Sequence, residues 1–472
     1  MYAADDNEGS APPSWVVALR SKPRLLIASA AAALFLVGAF VVPTGRDAAR
    51  AGAVAEPEPT LPEAVATAPA AAERVTEAEP MALPAVGPAD FAVSVEAVSA
   101  SSRVPKPEAV RGVYLNVWAA ASAKKLAKLI DMADRTEVNA FVIDVKDATG
   151  YLSYGSTIPL AGRIGADRER RIADVRGMLE RLKEHGIYPI ARIVVFRDPV
   201  LAAARPDWAV RTRDGAIWED RYGDVWVDAF NRSVWDYNIA VAEEAVRLGF
   251  AEVQWDYVRF PDTPSRMMTE VVFPAQEGRT KRAAIREFLQ YSRERLAELE
   301  VPVTADVFGL TTSVAGDMGI GQDWPLMVDA TDVLLPMVYP SHYVRGSYGI
   351  AFPNGSPYET VKTALEHGIR RSADVADAAA IRPWLQDFTL GEPKYGPEYV
   401  RAQIEATYDA GLSEWLLWNA SSNYQEAALA TARGRVPRFE IPHFMPEPAA
   451  EPLAEELLGE ALRDTALLRL PW

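Results

Sequence analysis

Two aspartates at the ends of neighbouring predicted strands are the residues best suited to chemistry. Asp256 follows Val253, Gln254 and Trp255 in a run that alternates apolar and polar side chains. In a strand, such alternation sends the polar side chains to one face and the apolar ones to the other. Asp306 ends the next predicted strand in the same way. A lone aspartate at a strand end can also cap the following turn, so the neighbouring strands decide its role.

A pair of carboxyl groups is what glycoside hydrolysis requires. One carboxylic acid protonates the leaving oxygen, and the other carboxylate attacks the sugar or activates a water molecule. Neighbouring strand ends would bring the two groups within about 5–6 Å, as in retaining enzymes, whereas a wider gap would mean inversion. We expect Asp256 to be the nucleophile or base and Asp306 to be the general acid.

Further polar side chains occupy other predicted strand ends. Alternation places Asp144, Lys146 and Arg192 on the same side as Asp256, and it does the same for Gln386. A β-bulge would reverse any of these orientations. We expect these four neighbours of Asp256 to orient sugar hydroxyls, and the alternative is a charge network that only fills a layer of the interior.

Aromatic side chains near the strand ends favour a sugar ligand, because the apolar faces of pyranose rings stack on aromatic rings. His342 lies in a polar loop after a strand, where it could bind a hydroxyl or act as an acid. Each aromatic residue could instead be packing. The further candidates for substrate binding are Arg259, Tyr339, His342, Trp384, Trp418 and Asn419, and Trp118 is another possible stacking platform.

The elements that must position these residues alternate between strands and helices. Predicted strands cover 112–118, 140–146, 188–196, 251–261, 302–308, 332–339, 381–387 and 414–419. Predicted helices cover 122–135, 172–185, 233–248, 282–299, 358–371 and 398–410. Eight strands within about 320 residues predict an α/β fold, a (β/α)8 TIM barrel with its site at the carboxyl ends of the strands. An open doubly wound sheet is the alternative, but the first strand lacks a glycine-rich phosphate loop.

An apolar run near the N-terminus predicts a membrane anchor. Leu25–Val42 is interrupted only by one serine and one glycine, and about 18 such residues can span a bilayer. Arg20, Lys22 and Arg24 precede the run, which predicts a cytoplasmic N-terminus. We therefore expect a single-pass protein of the inner membrane with an extracytoplasmic C-terminal domain. Cleavage near Ala55 is the alternative and would release a secreted protein.

The composition divides the chain into five segments. The region after the apolar run is rich in Ala, Pro and Glu and has too few large apolar groups to order itself, so it is predicted to be a linker. The predicted segments are a cytoplasmic N-terminus (1–24), a transmembrane helix (25–43), a linker (44–109), the barrel (110–438) and a C-terminal tail (439–472).

Charge and residue counts narrow the functional classes. The 472-residue chain has a net charge of −16, which argues against nucleic-acid binding. It has no cysteine, so it has no disulfide, thiolate nucleophile or cysteine-bound zinc. Its four histidines include no pair separated by three residues. We expect neither a metal nor an organic cofactor.

Several motifs in order resemble a bacterial family of glycoside hydrolase barrels, formerly a domain of unknown function. They are RGVY at 111–114, FVIDVKD at 141–147, QWDYVRFP at 254–261, PMVYPSHY at 336–343 and RPWLQDF at 382–388. The resemblance covers about 110–424. It implies a TIM barrel related to carbohydrate-active enzymes, often on membrane-anchored or exported proteins.

The resemblance also implies roles for the two aspartates. Asp256 matches the aspartate of the fourth strand, where related hydrolases carry a catalytic carboxylate. Asp306 stands where those relatives often carry the second acid, usually a longer glutamate. The expected function is a membrane-anchored glycoside hydrolase that acts on an extracytoplasmic polysaccharide. The alternatives are a barrel that binds glycan without cleaving it, and Schiff-base chemistry on Lys146.

Overall fold

The computed structural model of the protein describes residues 85–263 and 268–446. The predicted cytoplasmic N-terminus, the membrane helix at 25–43 and most of the predicted linker lie outside these residues, as does most of the predicted tail. In the part of the chain that is described, no helix combines the length and the apolar character that crossing a bilayer requires.

Parallel strands form the wall of a closed barrel, as the TIM-barrel prediction expects. In chain order, the strands are β1 (Arg111–Leu115), β2 (Ala140–Lys146), β3 (Tyr188–Val194), β4 (Arg211–Thr212), β5 (Glu252–Asp256), β6 (Val271–Val272), β7 (Val303–Phe308), β8 (Val333–Met337), β9 (Ala380–Ile381), β10 (Trp384–Gln386) and β11 (Trp415–Trp418). The sheet order is β10-β11-β1-β2-β3-β5-β7-β8-β9, and a further pairing of β10 with β8 closes the ring. Strands β4 and β6 form a separate antiparallel pair.

The seventh strand of the barrel is divided between β9 and β10. Arg382 and Pro383 separate the two halves, and proline has no N–H to donate to the ladder. Beyond this break, Trp384 pairs with Met337 of β8. The two short strands therefore fill one place in the wall, and the barrel has eight strand positions.

Helices surround the strands, and six longer ones match the six predicted helices. They are α1 (Val117–Ala121), α2 (Ala123–Arg135), α3 (Pro159–Ile164), α4 (Val175–Glu184), α5 (Pro199–Ala204), α6 (Arg232–Leu248), α7 (Lys281–Leu296), α8 (Trp324–Met327), α9 (Pro357–Ser372) and α10 (Pro397–Asp409). Capping side chains set several of the starts. Ser122, Asp174 and Thr280 each accept an N–H from the first turn of α2, α4 and α7, which satisfies a donor that the helix itself leaves unpaired.

The alternation of the strands produces two cores. The outer core lies between strands and helices and includes Phe141, Ile143 and Val145 of β2, as their spacing predicts. The inner core fills the barrel and includes, among others, Tyr114, Val142, Ile190, Leu335 and Trp384. Polar side chains that point inward must therefore find partners inside the barrel.

The chain before β1 packs against the outside of the barrel. Phe91 and Val93 lie against the outer core, and the Val98 N–H donates to the Arg247 carbonyl at 3.0 Å. The linker predicted over 44–109 therefore overlaps, from residue 85 onward, with chain that belongs to the folded body. Its few large apolar residues are the ones that make these contacts.

The chain after the last strand also returns to the barrel. The Phe444 N–H donates to the Gly355 carbonyl at 2.8 Å, and the Phe444 ring lies 6.1 Å from that of Phe352. The contacts of the barrel thus continue beyond the predicted boundary at residue 438.

Candidate active site

Strand β5 sends three polar side chains into the barrel at three heights. Glu252, Gln254 and Asp256 are buried and alternate with Val253 and Trp255, which belong to the outer core. Asp256 is the uppermost of the three because it ends the strand. The structure therefore places Gln254 and Asp256 on the interior face, as the alternation predicts.

The backbone turns sharply after Asp256. Tyr257 has a φ of 49°, a left-handed conformation that costs a non-glycine residue about 1–2 kcal/mol. The prediction extended the strand to residue 261, but this turn ends it. In this conformation the Tyr257 N–H donates to Asp256 Oδ1 at 2.6 Å, so the turn holds one carboxylate oxygen in place.

Arg192 on β3 connects two inward-facing carboxylates. Its Nε and Nη2 donate to Asp256 Oδ2 at 2.9 and 2.5 Å, and its Nη1 donates to Asp144 Oδ1. We call Asp144, Arg192 and Asp256 the upper cluster. Asp256 thus accepts hydrogen bonds from a guanidinium at one oxygen and from a backbone N–H at the other, so both of its oxygens are held in place.

Asp144 is the more deeply buried carboxylate of the upper cluster. Tyr114 Oη donates to its Oδ2 at 2.6 Å, while Arg192 occupies its other oxygen. Burial raises the pKa of Asp144 to about 6, although Arg192 opposes the increase. Asp144 can therefore change its charge just below neutral pH.

Asp306 lies beside Asp256 on the adjacent strand. Trp255 pairs with Ala305 in the register of β5 and β7, so Asp256 and Asp306 are the next residues along the two strands, and neighbouring strands are about 4.8 Å apart. Gln254 Nε2 donates to the two oxygens of Asp306 at 3.0 and 2.9 Å, and Trp384 Nε1 donates to Oδ1 at 2.7 Å. Burial and then the charge of Asp256 raise the pKa of Asp306 well above its usual range. The two neighbours therefore differ in their surroundings, because Asp256 is paired with a guanidinium whereas Asp306 accepts hydrogen bonds from the neutral side chains of Gln254 and Trp384.

The amide of Gln254 is suited to either protonation state of Asp306. Its Oε1 is buried and has no hydrogen-bond partner among the described residues. Since an amide presents two donors at one end and an acceptor at the other, a half-turn would let Oε1 accept the proton of a neutral Asp306. Gln254 can thus follow the charge of the acid beside it.

Aromatic rings form one wall of the site. Tyr114 and Trp418 stack with centroids 4.0 Å apart and planes 20° apart, and Trp384 meets Trp418 edge to face at 5.5 Å. The Arg192 guanidinium lies 5.3 Å from the Trp418 ring. Trp384 is buried, whereas Trp418 is only partly so. Trp418 is therefore the ring of this wall that a ligand can reach.

The loop after β8 carries two further predicted residues, Tyr339 and His342. Both are buried, and their rings lie 5.3 Å apart. Burial lowers the pKa of His342 to about 4, so the imidazole is neutral at neutral pH. Gln386 Oε1 accepts the Ser341 N–H at 3.1 Å, and Gln386 Nε2 donates to the Phe388 carbonyl at 3.0 Å. Gln386 therefore positions the loop that carries His342.

Two other predicted binding residues are engaged in the rim itself. Arg259 is buried, and its guanidinium lies 4.7 Å from the Phe308 ring and 5.0 Å from that of Tyr257. Asn419 Nδ2 donates to the Asp387 carbonyl at 2.5 Å. These contacts shape the loops around Asp256.

The inward orientation predicted for Lys146 is wrong. A register shift between Asp144 and Lys146 marks a β-bulge, which reverses the side of the strand on which the next side chain lies. Lys146 Nζ lies 2.7 Å from Asp198 Oδ2 and 5.4 Å from the ring of Tyr237 on α6. The side chain is fully buried, so Lys146 is not placed to orient a sugar or to form a Schiff base with one.

Two residues of the site, Tyr114 and Gln254, are not among the catalytic or binding residues that the sequence predicts. The alternation in the first predicted strand places Tyr114 inside, next to the strand that carries Asp144, so the same pattern could have found it. Gln254 was assigned to the interior face, but its bond to Asp306 depends on the register between two strands. Within 85–263 and 268–446, no group of three or more His, Cys, Asp or Glu side chains is arranged to hold a metal ion.

The comparison with protein families gives a match over the barrel. Residues 112–424, about two thirds of the 472-residue chain, match the family described as "Putative glycosyl hydrolase domain". The chain belongs to this glycosyl hydrolase family. The matched residues include Asp256 and Asp306. The barrel of this protein is accordingly a glycoside hydrolase domain.

Solved structures give more distant likenesses to this glycosyl hydrolase. A hypothetical protein from Ruminiclostridium thermocellum ATCC 27405 is 39% identical with a TM-score of 0.38, covering 41% of this chain and 97% of that one. The glycoside hydrolase domain of PgaB (BpsB) from Bordetella bronchiseptica is 13% identical with a TM-score of 0.48, covering 66% and 95%. The glycoside hydrolase domain of PelA from Pseudomonas aeruginosa is 13% identical with a TM-score of 0.39, covering 67% and 97%. No curated protein sequence matches the chain.

Proposed function

We propose that this glycosyl hydrolase is anchored in the inner membrane and cleaves an extracytoplasmic polysaccharide, with Asp256 and Asp306 as its catalytic pair. The unequal surroundings of these two neighbours carry the proposal. Asp256 accepts hydrogen bonds from the Arg192 guanidinium and from the Tyr257 N–H, which fix the orientation of its carboxylate. The pKa of Asp306 is raised by burial and by the charge of Asp256. A carboxyl with a raised pKa is suited to act as the acid, and a neighbouring carboxyl that a guanidinium orients is suited to act as the nucleophile or base.

In the proposed reaction, Asp306 gives its proton to the glycosidic oxygen as the bond to the anomeric carbon breaks. Asp256 then either attacks that carbon or removes a proton from the water that does so. The side-by-side register of the two residues favours the shorter separation of about 5–5.5 Å that retaining enzymes use. We therefore favour Asp256 as the nucleophile, and NMR of the first product would show retention of the anomeric configuration.

The rest of the site would bind and orient the sugar. Arg192 and Asp144 offer charged groups beside Asp256, and the partly exposed Trp418 offers a flat apolar face. The buried Trp384 supports that face from below and donates to Asp306. This arrangement suits a pyranose ring, which presents hydroxyls at its edge and C–H groups on its faces.

The anchoring part of the proposal is supported by the sequence. Leu25–Val42 is apolar and follows Arg20, Lys22 and Arg24, which is the pattern of a membrane helix with its N-terminus in the cytoplasm. The chain should remain with membranes after extraction at alkaline pH, and protease added outside spheroplasts should digest the barrel. Recovery of the chain in the soluble fraction would support cleavage near Ala55 instead.

The hydrolytic proposal is tested with the full-length protein and purified envelope polysaccharides and exopolysaccharides. The wild type should release new reducing ends from one of them, and Asp256→Asn should reduce the rate by about 10³-fold or more. Asp131→Asn, an exposed position on α2, is the matched control and should keep full activity. Full activity of Asp256→Asn would refute the assignment, and binding without any cleavage would favour a glycan-binding barrel.

The role of Asp306 is tested by the choice of leaving group. Asp306→Asn should lower the rate on the polysaccharide by about 10²–10⁴-fold, the usual contribution of a general acid. A dinitrophenyl glycoside of the same sugar should restore most of that loss, because its leaving group departs without a proton. Equal losses on both substrates would show that Asp306 is not the acid.

A further inference from the structure

A small open pocket lies beside the upper cluster, at the carboxyl ends of β1 and β2. Its polar lining comes from Asp144, Asp147, Tyr151, Ser153, Glu169 and Arg171. The pocket has a volume of about 10 Å³, which is enough for one water-sized group. A single substituent of a sugar fits this space, whereas a whole ring does not.

The pocket contains an unsatisfied polar group. Ser153 is only 5% exposed, and its hydroxyl is buried without a hydrogen-bond partner among the described residues. The backbone of Ser153 is fixed on both sides, by Val145 at 2.9 Å and by Ile172 at 2.8 Å. Leaving a buried hydroxyl unpaired costs about 1–3 kcal/mol, and a donor that entered the pocket and reached this hydroxyl would recover that cost.

The charges around the pocket favour a cation. Asp144, Asp147 and Glu169 line the pocket. Arg192 pairs with Asp144 and Arg171 pairs with Glu169, so among the described residues Asp147 is the carboxylate of this lining that forms no ion pair. Asp147 Oδ1 accepts the Thr149 N–H at 2.9 Å, which fixes the orientation of this partly exposed carboxylate. A cation that entered the pocket would lie close to the Asp147 carboxylate, at short range, where screening by water is weakest.

An exposed aromatic ring stands at the edge of the pocket. Trp118 is 59% exposed and follows Val117, which lines the pocket. The Arg171 guanidinium lies 3.9 Å from the centre of the Trp118 ring, so one side of the indole is supported. An exposed and supported indole suits the apolar face of a sugar ring.

We propose that Trp118 and this pocket form an outer sugar subsite that selects an amino sugar with a free, protonated amine. The ring of the sugar stacks on Trp118, and its ammonium group enters the pocket. There it donates to Asp144, Asp147 and the hydroxyl of Ser153, which matches its three N–H donors. The inference rests on the proposed function, because the subsite would hold a unit of the polysaccharide next to the pair that cleaves it.

The test compares two hexamers that differ only in charge, a glucosamine hexamer and its fully N-acetylated form. Their binding to the full-length protein is measured at neutral pH by calorimetry. The protein carries the substitution Asp256→Asn, which prevents turnover during the measurement. The glucosamine hexamer should bind about tenfold more tightly, as expected for hydrogen bonds to charged groups. N-acetylation removes the positive charge and makes the group too large for the pocket.

Variants of the pocket assign the preference to its residues. Asp147→Asn keeps the oxygen that accepts the Thr149 N–H but removes the charge, and it should abolish most of the tenfold preference. Ser153→Ala should reduce the preference about threefold, within the range of a single hydrogen bond. Trp118→Ala should weaken the binding of both hexamers by the same factor. Glu180→Gln, an exposed position on α4, is the control and should change nothing.

Equal binding of the two hexamers, or no binding of either, would overturn the inference. A preference that survives Asp147→Asn would also overturn it, and Glu169→Gln tests the same charge if Asp147→Asn does not fold. Cleavage of a polysaccharide without an amine preference would end this inference and leave the proposed function intact. If the protein prefers the free amine but cleaves no polysaccharide, this inference stands and the proposed hydrolytic function is refuted.

Discussion

The barrel contains two arginine–carboxylate clusters, one at each end of its interior, and they differ in what surrounds them. The lower cluster consists of Glu252, Arg382 and Glu414. Arg382 Nη1 lies 2.6 Å from Glu252 Oε1, and its Nε lies 2.8 Å from Glu414 Oε2. The side chains of Arg382 and Glu252 have no exposed surface, and Thr304 also donates to Glu252. This end of the barrel is closed by its own contacts.

The upper cluster also joins one arginine to two carboxylates, here two aspartates instead of two glutamates, but its neighbourhood is different. Arg192 again joins two carboxylates, but Asp256 lies beside Asp306, whose pKa is raised by burial and by the charge of Asp256. The partly exposed Trp418 ring lies above Arg192. In TIM barrels the amino-terminal end of the strands serves stability and the carboxyl end serves chemistry. The same ionic grouping can therefore stabilise the fold at one end and prepare a reaction at the other.

The largest expected loss of stability follows from breaking the lower cluster. Arg382→Met leaves Glu252 buried without its cation, which should lower the free energy of unfolding by about 3–5 kcal/mol. Chemical denaturation measures the loss. Adding Glu252→Leu should recover most of it, because apolar replacement of both partners removes the unpaired charge. A loss below about 1 kcal/mol would mean that the lower cluster does not stabilise the barrel.

The corresponding change in the upper cluster should act mainly on the rate. Arg192→Met removes the cation that pairs with Asp256 and orients it, and kcat/KM should fall by about 10²–10³-fold, or about 3–4 kcal/mol in the barrier. The loss of stability should be smaller than for Arg382→Met, since this end of the barrel is nearer to solvent. If the Arg192→Met variant were active but strongly destabilised, the upper cluster would serve stability as the lower one does, and the proposed difference between them would be refuted.

The upper cluster should also make stability depend on pH. The folded-state pKa of Asp144 is about 6, above its ordinary value of 3.8, so the folded protein holds this proton more tightly. The stabilisation of the folded state by this proton is complete below about pH 4. It is lost as the pH rises to about 6, and the free energy of unfolding falls by up to about 3 kcal/mol. Asp144→Asn should flatten this part of the profile, whereas Asp131→Asn should keep it. An unchanged slope in Asp144→Asn would contradict the assignment.

The smallest expected effect is at the aromatic wall. Trp418→Ala removes the ring that stacks on Tyr114 and should raise KM several-fold, or about 1 kcal/mol, with little change in kcat. Steady-state kinetics on the cleaved polysaccharide measure both. Phe439→Ala, another exposed aromatic position, is the control. A fall in kcat with unchanged KM would place Trp418 in the chemistry rather than in binding.

Periodicity predicts the parts of the site that lie within regular strands. The two-residue alternation places Asp144, Arg192 and Asp256 inside the barrel because each belongs to an unbroken strand. It fails at Lys146, where one extra residue in a bulge reverses the side chain. It also extends β5 too far, because nothing in the local pattern announces the left-handed conformation of Tyr257.

Contacts between distant parts of the chain are not readable from periodicity. Arg382 and Glu252 are 130 residues apart in the chain and meet only because the barrel closes. The alternation within single strands therefore does not predict the lower cluster. The bond from Gln254 to Asp306 likewise depends on the register of two strands. The environment that distinguishes one aspartate from another is set by these contacts, and the sequence alone therefore gives candidates without their roles.

One paired measurement tests the central claim that the upper cluster serves catalysis and the lower cluster serves stability. The kcat and the free energy of unfolding are measured together for Asp256→Asn and Glu252→Gln, two substitutions on the same strand that each remove one charge. We expect Asp256→Asn to lose about 10³-fold or more in kcat with stability within about 1 kcal/mol of the wild type. We expect Glu252→Gln to lose about 3 kcal/mol of stability and to keep its kcat. Equal effects on both quantities, or an active Asp256→Asn, would contradict the account.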